Sequence, residues 1–328
     1  MLRYLVRRIV LGLFTIWFVS MVSFAIIQLP PGDFVDAYIG RLEEDGRITY
    51  ADAAAQLRKV YGLDQPVYIQ YFDWITQVVQ GNFGESLEVQ RPVADIIGDS
   101  IWLTVAVSAA AIVVTWIIAI PIGVYSAVRQ YSRGDYFFTF MSFIGLAIPN
   151  LLLALVLLWT GFKFFHVNLQ GLFSQDFVVA PWSLARVGDL LKHLPLPGLI
   201  LAIAGTAELV RILRANLLDE LHKPYVVTAR AKGLREREVL VKYPLRVAMN
   251  PFASGIGFLL PEVVSGSVIV SLVLNLPTVG PILLRALLSQ DMYLAGTIVL
   301  LLGTLTVIGI LISDLILMWL DPRVRLVN

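Results

Sequence analysis

The chain has no cysteine, which excludes disulfides and thiolate metal sites. Its three histidines, His166, His193 and His222, are too scattered to suggest a metal or haem centre. Charge is scarce: 15% of the residues are charged, against about 25% in a soluble domain. The net charge of +1 gives no signal for nucleic acid. There is no G-x-x-x-x-G-K-[ST] phosphate loop and no obvious acidic partner for Mg²⁺, so the chain does not bind and split ATP by that route. No His-Glu-x-x-His helix and no Ser/His or paired Asp within the apolar runs is found, which argues against a membrane-embedded enzyme. No internal repeat supplies both halves of a transporter from one chain. What is abundant is apolar surface: 58% of residues are hydrophobic and the mean hydropathy is +0.78. This is the composition of an all-α, multi-pass membrane protein, with lipid as its solvent.

A membrane span needs about 20 apolar residues. Six segments qualify: Ile9–Leu29, Ile101–Ala127, Tyr136–Phe165, Pro195–Leu213, Pro251–Leu274 and Leu294–Leu320. The basic start, MLRYLVRR, has the look of a secretory signal. The run after it is too long for that, no A-x-A site follows, and Pro30 to Asp33 end the helix, so it reads as a retained first span. Placing the N-terminus in the cytoplasm puts sixteen of the 25 Lys and Arg on the inner side, nine of them between Arg211 and Arg246. Both termini are then cytoplasmic. The chain divides into a tip and first span (1–29), an extracytoplasmic loop (30–100) and a five-span core (101–328) holding a cytoplasmic segment (214–250).

The loop over 30–100 carries twelve acidic and five basic residues and is patterned for helices. Thr49 and Asp52 resemble a capping box and Gly62 a helix stop, which predicts a short helix over Tyr50–Tyr61. Tyr68, Phe72, Ile75 and Val79 recur at helical spacing, which predicts a second, amphipathic helix after Pro66. Its apolar face would lie on the membrane interface or pack on the spans.

The most informative stretch is basic and lies between two apolar runs: Tyr225 to Asn250, YVVTARAKGLREREVLVKYPLRVAMN. Thr228, Ala229 and Ala231 are small and precede Gly233, so a short helix can be approached closely and then reversed. The positive-inside rule accounts for the charge but not for this punctuation. The decapeptide from Tyr225 to Leu234, Y-V-V-T-A-R-A-K-G-L, resembles the signature of the permease subunits of dipeptide/oligopeptide ABC importers, in the type I binding-protein-dependent transport family. In the wider signature a Glu stands where this chain has Val227, and Gly233, Tyr243 and Leu245 fall at the expected offsets. Leu29 to Asp33, Gly62 to Asp64, Gly81 to Ser86 and Leu320 to Arg325 are similar to further family segments, so the resemblance covers the whole chain. Asn275 to Gly280 departs from the acidic-aromatic version usual there.

The resemblance implies a type I importer permease fold with six transmembrane helices and a helical outer loop between the first two spans. It implies that Tyr225, Thr228, Ala229, Arg230, Ala231, Lys232, Gly233 and Leu234 form the coupling helix and its turn, seated in a cytosolic ATPase. Ala229 and Gly233 would supply close packing, and Arg230 and Lys232 polar contacts. The implied partners are a second homologous permease, two cytosolic ABC ATPases and an extracytoplasmic substrate-binding protein. ATP and Mg would sit on the ATPases, with no cofactor on this chain, in a bacterial or archaeal inner membrane. Peptides are the implied cargo, with oligosaccharides or nickel chelates as alternatives within the family. An ion-coupled secondary transporter is the rival of another class, and it needs ionisable residues inside the spans. Glu208 and Arg211 are spaced to pair on one helix face. Asp314 sits near a helix end. Glu262 has no basic residue near it in its own span and is the candidate for the translocation path.

Overall fold

The structure is a computed structural model that describes residues 2–28, 35–36, 58–59, 64–167 and 169–320. Its described elements are helical, apart from an isolated bridge between Glu85 and Pro92. The helix expected over Tyr50–Tyr61 lies outside the described residues, apart from Arg58 and Lys59, which are helical. The chain forms two compact bodies.

One body comprises residues 7–104 and 278–307. It holds most of α1 (Leu2–Ile27), α2 (Val67–Val79), the start of α3 (Val93–Val128), α12 (Val279–Leu288) and the start of α13 (Met292–Leu320). Where α1 meets α13, a glycine sits at two of the close contacts. A Cβ on Gly12 would stand 2.9 Å from Val307 Cγ1, and one on Gly303 2.8 Å from Val19 Cγ1. Small residues allow this approach, as is usual between helices in lipid.

Helix α2 forms where the spacing predicts; of the spaced residues Ile75 packs inward, and the face it buries is centred on Tyr71 and Trp74. Tyr68, Phe72 and Val79 are exposed. Tyr71 and Trp74 are buried against Phe24 and Leu300. The Trp74 ring stacks on Phe24 at 5.6 Å, and the Tyr71 hydroxyl lies 2.8 Å from Ser20 Oγ. The helix is apolar nearly all round, so tertiary partners, not periodicity, choose its inner face. Behind it, the loop from Ser86 to Glu88 is tied to the α12–α13 junction. Asp291 accepts from Ser86 Oγ at 2.5 Å and Glu88 N at 3.2 Å, and caps α13 by accepting from Leu294 N at 3.1 Å.

The other body comprises residues 105–277 with both ends of the chain. The expected span Tyr136–Phe165 is two helices, α4 (Arg133–Ala147) and α5 (Asn150–Phe165), bent by 100°. Pro149 causes the break: it holds Ile148 extended at ψ 118°, where a helix cannot continue. After α5 come a 3₁₀ turn (Gln175–Phe177) and α6 (Leu184–His193), where Arg186 lies over Phe173 and Trp182 at 4.8 and 4.4 Å. Helix α7 (Pro195–Leu221) is the hub of this body. Beyond it lie α8 (Pro224–Ala231), α9 (Glu236–Lys242), α10 (Pro244–Ala248) and α11 (Asn250–Val273). Helix α7 packs against α4, α5, α6, α10 and α11. Its buried stripe, Leu209, Val210, Leu213 and Leu217, meets Ala119, Ala127, Ala248 and Phe252.

Three helices, α1, α3 and α13, are long and apolar enough to cross a membrane unbroken. The α4–α5 stretch passes the same test as a bent pair, and so does Leu184–Leu221, bent by 60° between Ile203 and Gly205 within α7. Helix α11 contains Pro261, but the side chains of residues 256–266 lie outside the description. On the same helix Gly255 faces open space.

Candidate functional site

The punctuation read from the basic segment is present. Pro224 opens α8 at its first turn, where its missing N–H costs nothing. Lys232 caps the helix, and Gly233 follows at φ +75°. The Gly233 amide donates to Arg230 O at 2.9 Å, and the Lys232 amide to Thr228 O at 3.1 Å. No atom lies within 4 Å of where a Gly233 Cβ would be, so glycine is needed here for backbone conformation, not for space. Helix α9 starts at Glu236. Arg230 reaches across the turn to its carboxylate, with Nη2 to Oε1 at 2.6 Å and Nε to the two oxygens at 3.2 and 3.1 Å. That hydrogen bond holds the Glu236 carboxyl below its ordinary pKa of 4.5.

The small residues divide between two faces. Ala229 is 4% exposed and packs with Val226 and Val239, flanked by Leu234 and Tyr243. Its small side chain lets α8 and α9 close on each other. The outward face carries Tyr225, Val227, Thr228, Ala231 and Lys232. The Tyr225 hydroxyl donates to Glu220, and Thr228 Oγ1 donates to Pro224 O at 2.9 Å. The segment is a small folded lug with an apolar underside and a low-relief outer surface. Among the described residues it holds no acid–base or nucleophilic arrangement.

The lug is seated rigidly. Leu240, Leu245 and Met249 pack on the cluster of Leu213, Leu217 and Phe252. Next to Leu213 in the chain, Arg214 makes two hydrogen bonds to Asp135 at the start of α4, Nε to Oδ1 at 3.0 Å and Nη2 to Oδ2 at 2.9 Å. Asp135 is 2% exposed and also accepts from Tyr131 N at 2.9 Å. The segment is thus packed on α7, which is tied to α4 by the Arg214–Asp135 ion pair.

This pair was not legible in the sequence. Ser132 and Asp135 have capping spacing, and Ser132 Oγ does accept from Asp135 N at 3.2 Å. Nothing in the chain links Asp135 to an arginine 79 positions away. The expected Glu208–Arg211 pair is absent: among the described residues neither side chain has an ion-pair or hydrogen-bond partner. Both are exposed and line a groove beside α4. Glu262 lies on α11, with its side chain outside the described residues. Asp314 is half-buried on α13. Among the described residues no group of His, Cys, Asp or Glu could hold a metal.

Residues 119–326 match the family model described as binding-protein-dependent transport system inner membrane component. Residues 1–108 match that of the N-terminal part of such membrane components. The chain is 36% identical to a protein of Brucella ovis provisionally named a peptide permease, covering 99% of each. It is 35% identical to the oligopeptide transport system permease protein AppB of Bacillus subtilis, covering 99% of this chain and 100% of that one. It is 28% identical to the oligopeptide transport system permease protein OppB of Salmonella typhimurium, over the same shares.

Proposed function

Because this chain belongs to the family of binding-protein-dependent transport system inner membrane components, we propose that it is the permease subunit of an ATP-driven importer of peptides. The observation that carries this reading is the end-to-end likeness to oligopeptide permeases, joined to a docking lug with no catalytic chemistry of its own. The energy comes from elsewhere. Two cytosolic ATPases bind ATP and Mg, and one of them receives the outward face of α8, with Tyr225, Thr228, Ala231 and Lys232 in contact, Gly233 and Leu234 shaping the turn, and Ala229 and the Arg230–Glu236 bridge keeping α8 and α9 together. Closure of the ATPases biases a two-state permease, which is the physical content of coupling. A second homologous permease completes the path, and an outer binding protein delivers cargo over the 30–100 loop. The chain crosses the inner membrane six times with both termini in the cytoplasm, and the 214–250 segment lies on that side. Glu262 is the candidate from α11 for the path.

The test is a gentle detergent purification of this chain from its native membrane, with all co-purifying proteins identified. A second multi-span permease and P-loop ATPases are expected. A lone chain or homodimer without ATPase, after mild extraction, would favour an ion-coupled transporter instead.

A further inference from the structure

Glu208 and Arg211 stand one helical turn apart on α7, on the side opposite its buried Leu209, Val210 and Leu213. Both are exposed, and neither is paired among the described residues. Two recesses meet at Arg211. One, of about 330 Å³, also takes in Arg214, Tyr136 and Thr139. The other, of about 430 Å³, is lined by Glu208, Leu146, Ile212 and Ala215. The groove therefore runs between α4 and α7, with free charges of both signs and a hydroxyl-bearing wall.

Unpaired charges on a membrane helix are costly against lipid and face a bundle interior or a water-filled cavity. An anionic headgroup would use the arginine and leave the glutamate repelling it. A zwitterion satisfies both, as a peptide or a zwitterionic headgroup would, and the two sources part on water access and on dependence on the peptide carboxylate. We propose that this face of α7 lines the water-filled path, and that Arg211 and Glu208 engage the carboxylate and ammonium ends of a passing peptide. The proposal rests on the peptide-importer reading only for the identity of the cargo, not for the path.

The absence of cysteine makes the test clean. Leu146→Cys, inside the expected span and lining the recess beside Glu208, spin-labelled in the complete importer reconstituted in lipid vesicles, should be relaxed by a water-soluble nickel chelate, and a saturating peptide should reduce that effect. Relaxation by oxygen but not by nickel would place the face against lipid. Relaxation by neither would place it in a subunit interface. Either result overturns the path. The carboxylate contact is read separately: loss of a charge-assisted bond in Arg211→Gln should lower uptake of a free-acid peptide by about tenfold and of its C-terminal amide by less than about twofold. Arg211→Lys should restore most of the loss. Equal losses on both peptides would overturn the contact. If the wild-type complex moves no peptide while the Leu146 site is nickel-accessible, the cargo reading fails and the path stands.

Discussion

Gly233 is held at φ +75°, where a side chain crowds its own carbonyl, and β-branched residues fit worst. A valine there costs about 1–2 kcal/mol locally, because the surrounding space is open. Gly233→Val should therefore leave insertion and folding intact while re-aiming α9 relative to α8. Transport and peptide-stimulated ATP hydrolysis in the complete importer should be lost. Normal stimulation would remove this turn from the coupling machinery. The Asp135–Arg214 pair predicts a different signature. Arg214→Met strands a buried carboxylate and should cost about 3 kcal/mol, the low end for breaking such a pair, because Arg214 is 28% exposed. Asp135→Leu combined with Arg214→Met should recover most of that loss, as measured by thermal unfolding in detergent. Asp291 carries the pH prediction. Burial raises its carboxyl pKa above the ordinary 3.8, against the opposing hydrogen bond from Ser86 and those from backbone amides. The folded state thus favours the protonated form. Its contribution is fully present below the unfolded pKa and is lost as pH rises through the raised folded one. Asp291→Asn keeps a capping side chain and should flatten that part of the stability–pH curve. An unchanged curve would show that Asp291 does not titrate with folding.

At the scale of the element, helix α2 shows what periodicity can and cannot carry. Its existence after Pro66 was legible, because nine of its residues from Val67 to Val79 are apolar or aromatic in helical register. Its inner face was not, because two apolar faces compete and only contact with Phe24 and Leu300 decides between them. The structure makes that choice testable. Trp74→Ala should destabilise the protein by about 3–5 kcal/mol, as for a buried aromatic. Phe72→Ala should move it by no more than about 0.5 kcal/mol in the isolated chain, since Phe72 is 62% exposed. Equal effects would mean that the outer face is also covered. The α4–α5 break was half legible. Pro149 announces an interruption, but the 100° angle depends on what α4 and α5 each pack against. The lug was read well from its small residues and Gly233, whereas the inward turn of Ala229 depended on Val239, ten positions on in a second helix.

At the scale of the whole molecule, what was legible is what lipid imposes: long apolar helices, punctuated by proline and glycine, with basic residues gathered between them. Hydropathy locates α1, α3 and α13 because each is uniformly apolar. It is weaker on α7, where Glu208, Arg211 and Arg214 interrupt the pattern. Those same interruptions form the groove and the link to α4, so the poorest part of the span assignment marks the most chemically specific part of the protein. The orientation follows from the same charge distribution and can be tested as one proposition. If the basic residues from Arg211 to Arg246 hold their segment in the cytoplasm, a cysteine replacing exposed Lys232 should react with an impermeant thiol reagent only from the inner side. A cysteine replacing exposed Val179, between α5 and α6, should react only from the outer side. The cysteine-free chain supplies a silent background for both. Labelling from the same side would mean that α7 does not cross the membrane, and the six-span count would fall with it.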